Sequence, residues 1–556
     1  MSSTPQLSSP DISPQGPWHR LLEQPLFLGI LLLLPIVWLL VPVPIDETRY
    51  LAVAWEMRQT GEFLVPHLNG ETYAHKPPLL FWLINAGWLV TGVHAWTARA
   101  MTLLCSIASL LLVQRLTLRM GGSEAAARNA MWFLLGAIYF AAFANAIMFD
   151  VPLTTCVLLA VHGLVDLAEG RTRRGIALTG VAIGLGILVK GPVMLLFVAI
   201  VALGAPWWSD RLDGRRARYF GAFALAFLLG AALALAWAIP AALHGGPDYA
   251  RAIFLNQTFD RIEGVVGAST HSRPWWWYFV IFPLMLLPWP LVIRGSWSAL
   301  RALARAPALR LALVWVVPTF VAFSCIGGKQ PHYLLPAVPG VALGLAFALD
   351  RGALRVRSGL FAWFLVALGL VLAAAPYFAA SRQRLGYIED ATPGWGIALA
   401  VLGVLLLVFV RRARTPMLPA LAMLSVALLV KFAVIEGPGQ RYDLEAIGAR
   451  LAQAQQRGQA IVHLGWHHGV YEFAGRLKQP IPAIEDPKLL EAWAQQHPDG
   501  LVMTFYRRFR FRATPVFTQP FRGGEVSIWN VREALASGID PAVAHTRDAA
   551  EDFSDD

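Results

Sequence analysis

Apolar runs of about 17 to 25 residues recur along this chain and constrain its fold most strongly, because each can cross the roughly 30 Å of hydrocarbon in a bilayer. They lie near residues 25–43, 97–116, 129–147, 151–168, 219–243, 275–293, 309–326, 333–349, 359–378, 394–410 and 417–435. Only 15% of the 556 residues are charged and the mean hydropathy is +0.53, whereas ~25% of a soluble domain is charged. The sequence therefore predicts a mainly α-helical protein that crosses a membrane many times.

Two further apolar segments affect the number of spans. Residues 176–208 are interrupted by Lys190-Gly191-Pro192 and flanked on both sides by arginines, which predicts a helical hairpin with Lys190 at its tip. Pro77 to Val93 begins with two prolines and carries Trp82 and Trp88, a pattern that suits a helix lying in the membrane interface. With the hairpin counted as two spans and the interfacial helix as none, about 13 transmembrane helices are predicted.

The arginines indicate which helix ends share a compartment. Six clusters, within 115–128, 171–174, 211–218, 294–310, 351–357 and 411–414, can all face the cytoplasm at once. The amino end is then inside, and everything after about residue 436 is outside. Because these arginines account for the net charge of +11, no nucleic-acid partner is indicated.

The chain divides into four predicted segments. Residues 1–24 are rich in Ser and Pro and are expected to be disordered, 25–436 form the transmembrane domain, 437–535 form a small extracytoplasmic α/β domain, and 536–556 are an acidic, disordered tail. In the α/β segment, helices are expected at 443–456 and 488–496, and strands at 460–464, 500–505, 514–517 and 524–531. This segment carries no Gly-rich phosphate loop or catalytic triad, so a structural or accessory role is expected.

Acidic residues stand at two predicted helix ends on the outer face. Asp46 and Glu47 open a polar loop, Ile45 to Leu80, directly after the first apolar run, and Asp150 stands at the matching end of the third run. Two carboxylates from separate loops at one depth can line one cavity. The alternative is that they cap helices, which suits Asp150 shortly before Pro152.

Cations and histidines occur on the same face. Arg49, Lys76 and Lys329 suit a phosphate, which takes both charge and hydrogen bonds, although snorkelling at the interface explains any one of them. His75 and His271 allow a divalent metal such as zinc, but they lack the fixed spacing of a zinc motif, which favours two unrelated loop histidines.

The order of these residues resembles the GT-C glycosyltransferases that use lipid-phosphate sugars, and within them the aminoarabinose lipid A transferases, which are relatives of the protein O-mannosyltransferases. The resemblance rests on Asp46-Glu47-x-Arg49-Tyr50, His75-Lys76-Pro77-Pro78-Leu79, Arg99, Asp150, Lys190-Gly191-Pro192, Asn256 with Arg261, His271 with Pro274, and Lys329 through His332-Tyr333-x-x-Pro336. It covers the membrane part well and the C-terminal segment in outline.

The resemblance implies an inverting transferase that moves a sugar, 4-amino-4-deoxy-L-arabinose in the leading interpretation, from undecaprenyl phosphate to lipid A. The reaction would take place on the periplasmic face of a bacterial inner membrane. Asp46 and Asp150 would be the catalytic carboxylates, and the substrate-binding residues would be Glu47, Arg49, Tyr73, Lys76, Arg261, Lys329, His332 and Tyr333. No cofactor is required by this interpretation. Members of the family often have Glu before the lysine, where this chain has His75, so a metal site that uses this Glu does not carry over unchanged.

Two alternatives stay open at the level of sequence. One keeps the mechanism and changes the acceptor to a protein or another envelope glycan. The other is a lipid or sugar flippase, for which the paired outer-face acids have no evident task.

Overall fold

The computed structural model describes residues 24–256, 273–379, 392–409, 415–505, 510–522 and 524–538. Nearly all of the two segments predicted to be disordered, 1–24 and 536–556, lies outside these ranges. Arg261, His271 and the arginine cluster at 411–414 also lie outside them.

Helices make up most of the described chain. In chain order they are Pro25–Leu39 (α1), Asp46–Thr60 (α2), Leu79–Thr91 (α3), Ala95–Arg119 (α4), Glu124–Leu135 (α5), Ile138–Phe143 (α6), Asp150–Ala168 (α7), Thr172–Lys190 (α8), Val193–Leu203 (α9), Ala205–Trp208 (α10), Arg216–Arg251 (α11), Trp277–Met285 (α12), Trp289–Val292 (α13), Trp297–Ala302 (α14), Pro307–Cys325 (α15), Val338–Asp350 (α16), Gly359–Ala379 (α17), Pro393–Phe409 (α18), Met417–Glu436 (α19), Glu445–Gln456 (α20), Glu472–Gly475 (α21), Leu489–Gln496 (α22) and Val531–Ser537 (α23). Asp210–Leu212, Pro331–Ala337 and Pro438–Arg441 are 3-10 helices, and Ala252–Asn256 is a π-helix.

Nine short strands complete the described elements. They are His67–Leu68 (β1), Glu71–Thr72 (β2), Ile293–Gly295 (β3), Leu354–Val356 (β4), Ile461–Leu464 (β5), Ala483–Ile484 (β6), Leu501–Phe505 (β7), Phe517–Phe521 (β8) and Gly524–Asn530 (β9). β1 pairs with β2 and β3 with β4, each antiparallel, and β5 to β9 form one sheet.

The prediction of a helical polytopic membrane protein is confirmed. Within the described ranges, seven helical segments are long and apolar enough to span a membrane, and α1, α3, α9, α18 and residues 417–433 of α19 are shorter apolar helices. The total of about 13 transmembrane helices stays a prediction.

Two of the predicted spans are broken helices. The run at 129–147 divides at Gly136, where a Cβ would come within 2.7 Å of both Ala420 and Trp289, so close packing fixes the break. The run at 275–293 divides into α12 and α13 before Pro288, whose ring and missing N–H interrupt a helix.

A short helix and a helical hairpin are present where the sequence predicted them, and the interfacial position of the short helix stays a prediction. α3 has 13 residues and is therefore about 20 Å long, shorter than the roughly 30 Å of hydrocarbon in a bilayer. α8 and α9 meet at Gly191, whose φ of 76° turns the chain directly after Lys190.

The expected polar loop from Ile45 to Leu80 contains a 15-residue helix, which corrects the sequence interpretation. α2 occupies its first part, with two acids in the first turn and Gly61 in the left-handed conformation at its end, both of which favour a helix there. β1 and β2 follow as a small hairpin. The helix matters because it fixes the direction of the Asp46 side chain.

The predicted arginine clusters meet at one end of the helices. Arg119 and Arg171 contact Asp166 at 2.6 and 2.7 Å, and Arg211 contacts Glu169 at 2.8 Å. These contacts bring the first three clusters together, because the two acids lie at the end of α7.

Two more clusters lie at the same end. Arg310 pairs with Asp210 at 2.6 Å, and β3 pairs with β4 so that Arg294 lies opposite Arg355. Arg351 also donates to the carbonyl of Gly121, just after α4, at 3.0 Å. Five of the six clusters therefore share one end, as the sequence predicted, and the sixth lies outside the described residues.

The C-terminal part is a five-stranded sheet in the order β6-β5-β7-β9-β8, parallel across β6, β5 and β7 and antiparallel beyond. α20 and α22 start two and one residues later than predicted. The strand expected at 514–517 lies instead at 517–521; as an edge strand it tolerates Pro520, which has no N–H to donate.

Candidate active site

Asp46 and Arg49 form an ion pair at the start of α2. Three residues apart on a helix, they face the same side, and Arg49 Nη2 lies 2.6 Å from Asp46 Oδ1. The Asp46 side chain remains 38% accessible while that of Arg49 is only 12% accessible. The guanidinium thus holds the carboxylate in place and leaves one side of it open.

The neighbours of Asp46 keep it ionised. Burial acts to raise the pKa of this carboxyl, but the charges of Arg49 and Lys76 and a hydrogen bond from the Tyr50 hydroxyl outweigh burial and lower the pKa below its usual value of 3.8. Tyr50 was not among the sequence candidates, although its position one turn after Asp46 on a helix was a usable signal.

Asp150 forms a second ion pair deeper in the protein. It is 1% exposed at the start of α7, and its Oδ1 lies 2.5 Å from Nζ of Lys190, the last residue of α8. The same ammonium lies 4.7 Å from the centre of the Tyr333 ring, a cation-π contact. Lys190 is thereby fixed by a carboxylate and an aromatic ring.

His332 connects the two ion pairs. Its Nε2 lies 3.9 Å from Asp150 Oδ2, and the histidine is within electrostatic range of Asp46, Lys76 and Lys190 as well. The charges of both carboxylates therefore act on the same histidine, although only Asp150 contacts it.

Tyr73 belongs to the same neighbourhood through Arg49. The ring of Tyr73 is buried, and its hydroxyl is one of the groups that act electrostatically on the Arg49 guanidinium. Lys76, half-buried, acts on both Asp46 and His332. Arg49 and Lys76, both of which act on Asp46, make an environment suited to a phosphate.

Glu47 is not brought into this cluster. Its Oε2 lies 2.5 Å from Arg99 Nη2, and its two oxygens also accept the backbone N–H groups of Val43 and Ile147, each at 2.9 Å. Arg99 in turn donates to the Leu40 and Val41 carbonyls. These contacts make Glu47 part of the packing behind the site.

Lys329 is also directed elsewhere. Its buried ammonium donates to the backbone carbonyls of Arg273, at 2.9 Å, and of Ile326. It therefore fixes the loop that leads to His332. Arg261 and His271, two further candidates, lie outside the described residues.

The described residues do not assemble a metal site. Among them, no three His, Cys, Asp or Glu side chains form a group that fits a metal ion, and His75 is exposed with its ring 5.4 Å from that of Tyr73. The metal site predicted at His75 and His271 stays a prediction, because His271 lies outside the described residues.

Similar proteins match about two thirds of the chain. Residues 75–242 match the protein family described as dolichyl-phosphate-mannose-protein mannosyltransferase. A protein of Pseudomonas aeruginosa (strain LESB58) named undecaprenyl phosphate-alpha-4-amino-4-deoxy-L-arabinose arabinosyl transferase is 30% identical over 64% of this chain and 65% of its own length. A protein of Pseudomonas fluorescens (strain Pf-5), whose name is the same with the suffix 1, is 30% identical over 66% of this chain and 68% of its own length. The match thus spans less than two thirds of the first relative.

Solved structures share the fold. The crystal structure of ArnT from Cupriavidus metallidurans bound to undecaprenyl phosphate has a TM-score of 0.69 at 19% identity, over 92% of this chain and 98% of that one. The apo structure of the same protein has a TM-score of 0.71 at 18% identity, over 91% and 98%. The predicted GT-C fold is confirmed.

Proposed function

We propose, from the premise that this chain belongs to the family of the undecaprenyl phosphate-alpha-4-amino-4-deoxy-L-arabinose arabinosyl transferases, that it transfers an amino sugar from undecaprenyl phosphate to lipid A. The observation that carries the proposal is the ionised, accessible carboxylate of Asp46, paired with Arg49 and flanked by Lys76. A transferase of this kind needs one anionic group for the sugar and cationic groups for the carrier phosphate.

The carrier phosphate is the leaving group. As the bond between the anomeric carbon and the phosphate oxygen breaks, its electron pair goes to the phosphate, while an acceptor oxygen forms the new bond from the opposite face of the sugar. Lys76 and Arg49 stabilise the negative charge that develops on the departing phosphate. Asp46 stabilises the positive charge that develops on the sugar ring.

The acidity of Asp46 bears on the acceptor. A general base works best when its pKa lies near the working pH, whereas the pKa of Asp46 is lowered from 3.8. Asp46 is therefore a poor base for deprotonating a hydroxyl. A phosphate group of lipid A is already an anion and needs no base, so the low pKa supports lipid A over a protein or glycan hydroxyl.

The site is proposed to face the periplasm of a bacterial inner membrane. Five arginine clusters lie at one helix end, and an excess of such residues is typical of the cytoplasmic side. The carboxylates at the starts of α2 and α7 belong to the other end.

Mass spectrometry of lipid A tests this proposal. Lipid A from cells that express the chain should carry an added pentosamine that is missing from cells without it. Cells that express Asp46→Asn should give unmodified lipid A. A pentosamine found on a protein or another glycan, with lipid A unmodified, would overturn the choice of acceptor, and an unchanged envelope would overturn the transfer.

A further inference from the structure

α2 and the β1–β2 hairpin are fastened to the C-terminal domain by side chains that bind its backbone. Trp55 donates to the carbonyl of Leu477 at 2.8 Å, and Gln59 donates to that of Lys478 at 2.6 Å. Asn69 bonds both the carbonyl and the N–H of Ile481, at 2.8 and 2.7 Å. A cavity of about 280 Å³ lies within this junction, and its walls are therefore held by two parts of the chain.

A buried carboxylate without hydrogen bonds lines this cavity. Glu472 is 5% exposed, and neither of its carboxylate oxygens accepts a hydrogen bond from any residue that the structure describes. The backbone amides of Tyr471 and of Glu472 itself approach the carboxylate without reaching hydrogen-bonding geometry. Burying such a group is costly unless a donor or a cation reaches it.

A second carboxylate stands in the same wall. Glu56 Oε1 accepts the N–H of Gly70 at 3.0 Å, and Glu56 lies within electrostatic range of Glu472. Burial, supported by the charge of Glu472 and opposed by the hydrogen bond from Gly70, raises the pKa of Glu56 to about 7. Two acids thus face one small cavity.

The histidine that lies beside Glu472 does not form a hydrogen bond with its carboxylate. His467 Nδ1 lies 3.6 Å from Glu472 Oε1, beyond hydrogen-bond length. His467 Nε2 lies 3.0 Å from the Ile481 carbonyl, so the other side of the ring is engaged with the backbone.

The other ionisable groups of the cavity are already engaged or stand at its mouth. Glu62 accepts the N–H groups of Leu64 and Val65 and contacts His244 at 3.0 Å. The Nδ1 atom of His67 lies 2.8 Å from the Val65 carbonyl, and Lys478 is exposed at the rim. The cavity therefore presents an excess of acceptors.

We propose that this cavity binds a small aliphatic amine through its protonated ammonium group, with Glu56 and Glu472 as its acceptors. An ammonium supplies a positive charge between the two carboxylates and hydrogen-bond donors for the Glu472 oxygens, which accept none from the described residues. A metal ion fits less well, because the described residues offer no group of three ligands. The volume, below the roughly 300 Å³ at which drug-sized pockets begin, suits a short aliphatic chain.

Occupancy would bridge α2 and the C-terminal domain. Glu56 lies ten residues after Asp46 on the same helix, which is about 15 Å along its axis. A bound amine would thus fasten the helix that carries Asp46 and Arg49.

Thermal unfolding of the full chain in detergent at pH 8 tests the site. The probe is 1,4-diaminobutane, and 1,4-butanediol, its uncharged counterpart, and sodium chloride of equal ionic strength are the controls. The diamine should raise the unfolding midpoint saturably by about 2 °C or more, and the rise should be smaller at pH 6, where protons compete for the carboxylates. Neither control should reproduce it.

Variants separate binding from folding. Glu472→Gln and Glu56→Gln should each abolish the rise, and Glu472→Gln should keep the fold because it removes an unsatisfied charge without changing shape. Glu491→Gln, an exposed glutamate of α22, should leave the rise unchanged. The proposal is overturned by no saturable rise, by an equal rise with the diol, or by an equal rise in Glu472→Gln. Stability that falls as pH rises through 7 without any response to the amine would also overturn it, because the pair would then hold only a proton.

Discussion

The ammonium of Lys190 lies 2.5 Å from the carboxylate of Asp150, so the last residue of α8 neutralises the first residue of α7. Both side chains are buried, and the charges of both reach His332. This buried ion pair therefore lies next to the proposed active site.

Lys190→Met tests this pair. Removing one partner leaves the Asp150 carboxylate buried and uncompensated, which we expect to lower the free energy of unfolding by about 3 to 5 kcal/mol. The double variant Lys190→Met with Asp150→Asn should recover much of this loss, because no buried charge remains. Chemical denaturation of the wild type, the single variant and the double variant measures the free energy of unfolding of each. A single variant as stable as the wild type would contradict the role of the pair.

Glu47→Gln separates packing from substrate binding. The sequence predicted that Glu47 binds substrate, whereas its contacts are with Arg99 and two backbone N–H groups. We expect lower stability, because Arg99 loses its buried counter-charge, and unchanged affinity for undecaprenyl phosphate in the folded fraction. Weaker affinity at wild-type stability would support the sequence interpretation instead.

The pH dependence of transfer reports on Asp46. Because its pKa in the folded protein is lowered from 3.8, the carboxylate is fully ionised above about pH 5, and its contribution to stability and transfer is lost only as pH falls through the lowered pKa. The acid side of the pH–rate profile should therefore be flat down to about pH 5. Arg49→Gln should move the acid limb to higher pH, and an identical limb in both proteins would count against the pairing.

Lys76→Ala tests the phosphate site. A charge-assisted contact contributes about 1.5 to 3 kcal/mol, so affinity for undecaprenyl phosphate should fall by about 10- to 150-fold. Arg351→Ala, at the opposite helix end, is the matched cation control and should bind normally. Equal effects of the two substitutions would remove Lys76 from the phosphate site.

The sequence predicts those helices and turns whose signal lies within a short stretch of the chain. Long apolar runs, the two prolines before α3 and the Lys190-Gly191-Pro192 turn each carry their own signal, and the arginines then indicate which helix ends share a side. That sidedness was enough to place Asp46 and Asp150 at the same end.

Contacts made by packing could not be predicted in this way. α2 is too polar to resemble a span, and its partner residues, such as Leu477, lie more than 400 positions later in the chain. Lys329 was predicted from its charge, but its direction depends on carbonyls at Arg273 and Ile326. The pairing of Lys190 with Asp150 likewise joins residues 40 positions apart.

The most direct test of the proposed function is the turnover of Asp46→Asn measured together with its binding of undecaprenyl phosphate. Purified wild type, Asp46→Asn and the matched control Asp350→Asn would be compared in transfer to lipid A. Losing the charge that stabilises the transition state should reduce turnover by about 10²- to 10³-fold, while carrier binding and the control stay near wild type. Wild-type turnover in Asp46→Asn would contradict the account.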